Sequence, residues 1–540
     1  MQKKTKFVII VGSVISGIGK GTFSASLANI LKLHHGLVVA PIKFDGYLNY
    51  DAGTLNPYRH GEVFVLDDGT ETDLDLGSYE RMLNQSLTKD NYLTAGKIFK
   101  TIIDRERKGE YLGRDVQFVP HVTDEIKSYI KRLGEKTSSD VVLVEVGGTV
   151  GDIENSYFLE AMRQLALEEG KGNVCFVNVV YILEPKSLGE QKTKAAQLGT
   201  QRLMAMGIQP DVIVCRSEKP VTVSAREKIS AYSNVTTNRV VSLHDLENIL
   251  EIPIALKKMK VDEEIIDILG LKTKPDHEFQ KWEKLAGMME RAKKKVTVAI
   301  AGKYTGLHDS YISILKALEH TAPYYGSCAD IKWIETTDIE NEKQAIEMLK
   351  DVDGLIVPIG YGSRGAEGKI LCIKVAREKK MPFLGLCYGF QMAIVEFARN
   401  VCGIRGANST EVDPDTKEPV IDILPEQKKI EGLGGTQRLG GQDVAIREGT
   451  IAHRLYGKKE VRERFRHRWE CNPKYIEILE KHGMVFSGKH PKYPIMQILE
   501  LPDNPYFFAT QYHPEYTSRP LEPNPAYKGF VEACVKHAEG

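Results

Sequence analysis

Apolar residues gather along this chain in short continuous runs rather than in strict alternation. KFVIIV (Lys6–Val11), LVVAPIKF (Leu37–Phe44), VVLVEV (Val141–Val146), CFVNVVYIL (Cys175–Leu183) and DVIVCR (Asp211–Arg216) each read as a strand buried on both faces. Helical periods lie between them: after the first run, Phe23, Leu27, Ile30 and Leu31 fall on one helix face. Strand and helix in alternation predict a parallel sheet covered on both sides, a doubly wound α/β domain. The same grammar returns with VTVAIAG, IKWIET, GLIVP, PFLGLC and FFATQ, which predicts a second α/β domain. Between the two, residues 271–295 (LKTKPDHEFQKWEKLAGMMERAKKK) are charged, carry a proline and show little strand character. The predicted organisation is a domain over 1–270, a linker over 271–295 and a domain over 296–540.

Composition narrows this little. The 540 residues suit two large domains, and Lys+Arg and Asp+Glu both number 73. Zero net charge gives no global basic surplus to argue for nucleic acid or an anionic membrane. The apolar run at the N-terminus is too short for a signal segment, and no run reaches the ~18 residues of a membrane span. Eight cysteines without a C-x-x-C pair argue against a disulfide scaffold and for a reducing cytoplasm.

The first strand runs into Gly12-Ser-Val-Ile-Ser-Gly17-Ile-Gly19-Lys20-Gly21-Thr22. The spacing departs from a strict G-x-x-x-x-G-K-[ST] loop, but the physics is retained. Glycines let backbone N–H groups approach phosphate, and the helix start adds partial positive charge. Lys20 is expected to reach terminal phosphates, and Thr22 or Ser16 a phosphate oxygen or metal. Candidate magnesium ligands are Glu145, near the end of an apolar strand, and the acidic pair Asp73 and Asp75, for which capping a helix is the alternative.

In the second half, Gly385-Leu-Cys387-Tyr-Gly389 follows the strand PFLG, in the pattern of a nucleophile elbow. The helix start behind it is expected to lower the Cys387 thiol below about 8.5. His513 and Glu515, after FFATQ, would serve as base and orienter. Gly360, after GLIVP, is the candidate oxyanion donor. A phosphate site and a cysteine amide-hydrolysis site in one chain point to an amidoligase that draws ammonia from glutamine.

Longer stretches name a family. SGIGKG, KFDGYLNYDAGT, HGEVFVLDDGTETDLDLGSYER, VEVGGTVGDIE, KTKAAQ, GLCYGFQ, NSTE, GGTQRLG, RHRWE and QYHPE resemble CTP synthases over nearly the whole chain. The resemblance implies a P-loop-type synthetase domain fused to a class I glutamine amidotransferase domain. It places ATP on Ser16, Gly17, Ile18, Gly19, Lys20, Gly21, Thr22 and Lys43, with Arg216 and Asp245 near adenine. Mg²⁺ would lie on Asp75 and Glu145. UTP or CTP would meet Ser16, Lys192, Lys194, Gln197 and Lys228, with Asp152 and Glu154 near the pyrimidine. Cys387, His513 and Glu515 become a triad, with Gly360, Gln391, Glu411 and Arg468 around glutamine. His60 and Val63 match positions lining an ammonia passage. The resemblance further implies phosphorylation of uracil O4 by ATP, GTP as allosteric activator, CTP as feedback inhibitor and a homotetramer, with filaments open.

Two positions depart from the family pattern. Gly46 replaces a proline, which predicts a loosened loop, and Ile359 replaces a glycine, where a positive φ would strain isoleucine. Two other readings compete. A different P-loop amidotransferase, such as a cobyrinate-type amidase, is disfavoured by DLDLGSYER and the UTP-type lysines. A non-catalytic scaffold is disfavoured by the intact triad and metal carboxylates.

Overall fold

The computed structural model describes residues 4–540 except 186, 188, 276, 304 and 424–436, with the backbone alone at Tyr58. Two compact units divide the chain: 1–54 with 75–286, and 55–74 with 287–540. No described helix is long and apolar enough to cross a membrane.

The first unit is built on seven parallel strands: β1 (Lys6–Gly12), β2 (Val39–Asp45), β3 (Tyr92–Thr94), β4 (Val141–Val146), β5 (Val174–Tyr181), β6 (Val212–Ser217) and β7 (Val240–His244). Their spatial order is β3-β2-β4-β1-β5-β6-β7. Ile9, Ile42 and Val144 are fully buried beside Phe158 and Leu165 in one core cluster. Each such side chain stabilises the fold by about 1.5–3 kcal/mol. From the central β1 the chain goes to one side for β2 and β3 and to the other for β5–β7. That arrangement opens a crevice at the carboxyl ends of β1 and its neighbours, where open α/β sheets bind ligands.

The main sheet of the second unit has nine strands: β8 (Lys294–Gly302), β9 (Ser327–Glu335), β10 (Gly354–Val357), β11 (Phe383–Leu386), β12 (Arg438–Ile446), β13 (Glu460–His467), β14 (Val485–Lys489), β15 (Met496–Glu500) and β16 (Phe507–Thr510). The order is β9-β8-β10-β11-β16-β15-β14-β12-β13. The five neighbours from β9 to β16 run parallel and are the five read as apolar runs. The remaining four pair antiparallel, so this sheet is mixed. Charges conceal β13 (EVRERFRH) in the sequence. On β13, Glu463 and Arg464 are buried, and Glu463 accepts from Thr517 Oγ1 at 2.6 Å and Asn524 Nδ2 at 2.8 Å.

Two boundaries differ from those expected. Within 271–295 a helix forms over Glu278–Arg291, burying Phe279, Trp282, Leu285 and Ala286 on one face. Trp282 Nε1 donates to Leu250 O at 2.8 Å, so most of this stretch belongs to the first unit. Residues 55–74, expected in the first domain, pack into the second. Glu62 accepts from Ser313 N at 3.2 Å, and Arg464 donates to Val65 O at 3.1 Å. Polar groups 250 and more residues apart in sequence satisfy one another here, a relation that no local pattern encodes.

Candidate functional site

The phosphate end begins where β1 stops. Gly17 and Gly19 take positive φ, and the helix Lys20–Leu33 starts immediately afterwards. Lys20 lies at that start, is 8% exposed and donates to Gly148 O at 2.7 Å. Burial lowers its pKa. Lys43, at the end of β2, stands in register with Glu145 of β4. Its ammonium donates to Glu145 Oε1 at 3.1 Å and also bonds the Asp75 carboxylate. Tyr79 donates to Glu145 Oε2 at 2.7 Å. Burial pushes the Glu145 carboxyl up, and Lys43 opposes it. Asp75 presses on the loop so closely that a Cβ at Gly21 would lie 2.6 Å from its Oδ1. Two basic and two acidic groups from four separate segments therefore meet at the sheet's carboxyl end. A pair of carboxylates, one of them buried, is a donor set that suits a hard cation such as Mg²⁺.

Arg216 closes the other side of the loop. It donates to Ile18 O at 3.2 Å, to Leu243 O at 2.9 Å and to Asp245 Oδ1 at 2.6 Å. The residues expected at the pyrimidine are not drawn into this network. Lys192 pairs with its neighbour Glu190, and Gln197 donates to Thr193 Oγ1 at 3.0 Å. Lys194, Lys228, Ser16 and Glu154 are exposed, and Asp152 accepts from Thr149 N at 2.7 Å. At Gly46 a Cβ would lie 2.6 Å from Asn155 Oδ1, so residues 154–155 pack directly against that loop.

The hydrolytic end is an elbow between β11 and the helix Tyr388–Asn400. Cys387 sits at φ 52°, ψ −95°, a strained position that sharp turning imposes on a non-glycine residue. The turn closes because Gly389 lacks a side chain: a Cβ there would be 2.1 Å from Val357 O. Cys387 N donates to Thr510 O at 2.7 Å, which sets the elbow beside the end of β16. Gln511 Nε2 donates to Cys387 Sγ at 3.7 Å, and the thiol donates to Arg466 O at 3.6 Å. Two residues beyond Gln511, His513 Nδ1 bonds Glu515 Oε1 at 2.7 Å, both side chains being buried. His513 Nε2 has no hydrogen-bond partner among the described residues. The ring stacks on Tyr516, whose hydroxyl donates to Val63 O at 3.1 Å, so the segment carrying His60 and Val63 borders the histidine. The expected low thiol pKa is not found. Burial pushes the Cys387 thiol up, with Glu515 and Glu411 adding to it, so the resting residue is a thiol.

Around the elbow, Glu411 accepts from Gly362 N at 2.8 Å, and burial raises its carboxyl to about 6, with Arg468 among the charges opposing this. Gln391 donates to Trp469 O at 2.8 Å, and its Oε1 has no partner among the described residues. Ile359 is not among the residues with positive φ; Gly362 takes that conformation instead, so isoleucine is unstrained. Its side chain packs on the core beneath β8 and β10. Sequence reading missed Arg466 and Glu71, joined at 2.7 Å, as well as Gln511 and the buried Lys369. A signal existed for Lys369: it stands among Ala366, Ile370, Cys372 and Ile373 on a helix that is otherwise apolar on that side.

This chain thus combines a phosphate-binding α/β unit with a class I glutamine amidotransferase unit, and residues 307–533 match the family described as glutamine amidotransferase class-I. Residues 6–271 match the CTP synthase N-terminus. The CTP synthase of Thermococcus gammatolerans is 51% identical over 538 residues, 99% of this chain and 100% of that protein. Those of Pyrococcus abyssi and Caldanaerobacter subterraneus are 51% and 48% identical, each over 98% or more of both chains. The chain belongs to the CTP synthase family.

Proposed function

We propose that the Lys20–Lys43–Asp75–Glu145 group and the Cys387 elbow divide between them the family's reaction, the glutamine- and ATP-dependent conversion of UTP to CTP. The chain is a glutamine-hydrolysing ligase. At the first site the uracil O4 of UTP attacks the γ-phosphorus of ATP, ADP leaves, and O4 becomes a phosphate ester. Lys20 and Lys43 balance charge on the phosphates, while Arg216 and Asp245 face adenine. Asp75 and Glu145 would hold Mg²⁺, whose charge assists phosphoryl transfer when it is bound. Lys192, Lys194, Gln197 and Lys228 receive UTP, with Asp152 and Glu154 at the pyrimidine.

At the second site His513 Nε2 takes the Cys387 proton as sulfur attacks the glutamine amide carbon. The oxyanion accepts from Gly360 N–H, and Gln391, Glu411 and Arg468 hold the substrate. His513 returns the proton to the leaving ammonia, and water then releases glutamate from the thioester. Ammonia passes by way of His60 and Val63 to C4 of the phosphorylated uracil, phosphate leaves, and CTP forms.

The observation that carries this reading is the presence in one chain of a helix-start lysine, a second lysine bonded to two carboxylates, and an elbow cysteine beside a buried His–Glu pair. Its test is the absorbance of the cytosine product. A rise is expected only with UTP, ATP and Mg²⁺ together, and with either glutamine or ammonia; a rise without ATP overturns the phosphorylation step. GTP enters as activator of the glutaminase. Eight free cysteines support a reducing, cytoplasmic setting. A homotetramer is supported by large apolar side chains exposed on the first unit, among them Leu112 at 87% and Ile153 at 86%. Light scattering with UTP and ATP present is expected to give four chains per particle, and a monomer contradicts it.

A further inference from the structure

One buried charge has no part in these steps. Lys369 lies in the first turns of the helix Ala366–Glu378 and is 0% exposed. Its one hydrogen-bond acceptor among the described residues is Pro358 O, at a long 3.5 Å. The ammonium sits over the Tyr388 ring, 4.7 Å from its centroid. A Cβ built on Gly360 would lie 2.8 Å from Lys369 Nζ. The cation is therefore held against two residues that matter to an elbow. Gly360 is the candidate oxyanion donor, and Tyr388 follows the nucleophile, the position whose backbone N–H supplies the other donor at such elbows. Tyr388 also donates to Gly362 O at 2.8 Å, tying the helix start to the same turn.

A buried ammonium with so little compensation is costly to keep for stability alone. Desolvation lowers its pKa to about 7. Lys303, after β8, adds to the lowering, while Glu411 and Glu335, at the end of β9, act to retain the charge. The charge is present on the acid side of that value and is lost as pH rises through it.

We infer that Lys369 is a positioning residue of the glutaminase site: its ammonium braces the Pro358–Gly362 turn and supplies positive potential beneath Gly360 and Tyr388. That potential favours the negative charge that forms on sulfur and then on the amide oxygen during attack. The inference rests on Cys387 being the nucleophile.

The test uses the full chain with Lys369→Met, which keeps an unbranched side chain one atom shorter and removes the charge, and Lys369→Gln as a second variant. Glutamate release is followed against pH, and alkylation of Cys387 by iodoacetamide is followed in parallel. In the wild type, glutamate release is expected to decline as pH rises through about 7. In Lys369→Met it is expected to fall about tenfold on the acid side, less than the roughly 10²–10³-fold lost with a direct oxyanion donor. The alkaline decline should disappear, and alkylation of Cys387 should be slower than in the wild type below about pH 7 and match it above. Ammonia-dependent CTP formation should be unchanged. A variant that is slower at every pH but keeps the wild-type profile and alkylation curve overturns the inference and leaves Lys369 a structural residue. Failure of the nucleophile assignment is read separately, as glutamate release that persists in Cys387→Ser.

Discussion

Serine in place of Cys387 is expected to abolish glutamine-dependent CTP formation and to leave ammonia-dependent formation near the wild-type rate. The substitution removes one sulfur atom at a turn whose backbone is set by neighbours. The amide of residue 387 still donates to Thr510 O, and Gly389 still packs on Val357, so the elbow survives. What is lost is a nucleophile that His513 can deprotonate. A serine hydroxyl is a far weaker acid than a thiol, and loss of a triad nucleophile costs on the order of 10⁴–10⁶ in rate. External ammonia bypasses this step, because phosphorylation of the uracil and attack by ammonia require no hydrolysis of the glutamine amide. His513→Ala should give the same split through loss of the proton carrier. Glutamine-dependent synthesis retained in Cys387→Ser would remove the amidotransferase assignment from this residue.

Glu145→Ala is expected to abolish CTP formation from glutamine and ammonia alike, by at least about 10³-fold, because both routes need the phosphorylated uracil. Glu145 is 1% exposed and accepts from Lys43 and Tyr79, so alanine also leaves the Tyr79 hydroxyl without this partner. That costs about 1–3 kcal/mol of stability. Glu145→Gln separates the two effects. It keeps an acceptor for Tyr79 while removing the charge that pairs with Lys43 and would face a cation. A folded Glu145→Gln protein with full ammonia-dependent synthesis would exclude Glu145 as a metal ligand. A dead one with a normal melting temperature supports it.

Much of this site is written locally. The glycine loop with Lys20 follows an apolar strand, and so does the Gly385-Leu-Cys387-Tyr-Gly389 turn, because a parallel sheet delivers its strand ends to one edge and turns there need small residues. His513 and Glu515 are separated by a single proline, so their bond at 2.7 Å needs little beyond local geometry. Long continuous apolar runs identify the interior strands for the same reason: both faces are covered, so most positions along them are apolar, and Lys43 and Glu145 are exceptions that belong to the site.

Four things were decided only by tertiary structure. Of the four antiparallel strands of the second sheet, β13 escapes detection because it buries Glu463 and Arg464, and a charge in sequence looks like solvent exposure until its partners are known. The direction of the Cys387 shift was misjudged because a helix start acts locally, whereas burial and the carboxylates of Glu515 and Glu411 act through space and outweigh it. Lys369 shows in the sequence only as a charge among apolar helix positions, and what it meets is decided when that helix docks against the 358–362 turn. Residues 55–74 leave the unit of their sequence neighbours and bring Glu71 to Arg466, beside the nucleophile. Periodicity records which side of an element is apolar. It carries no information about which distant polar group will meet a given charge, and that pairing determines what each buried charge does.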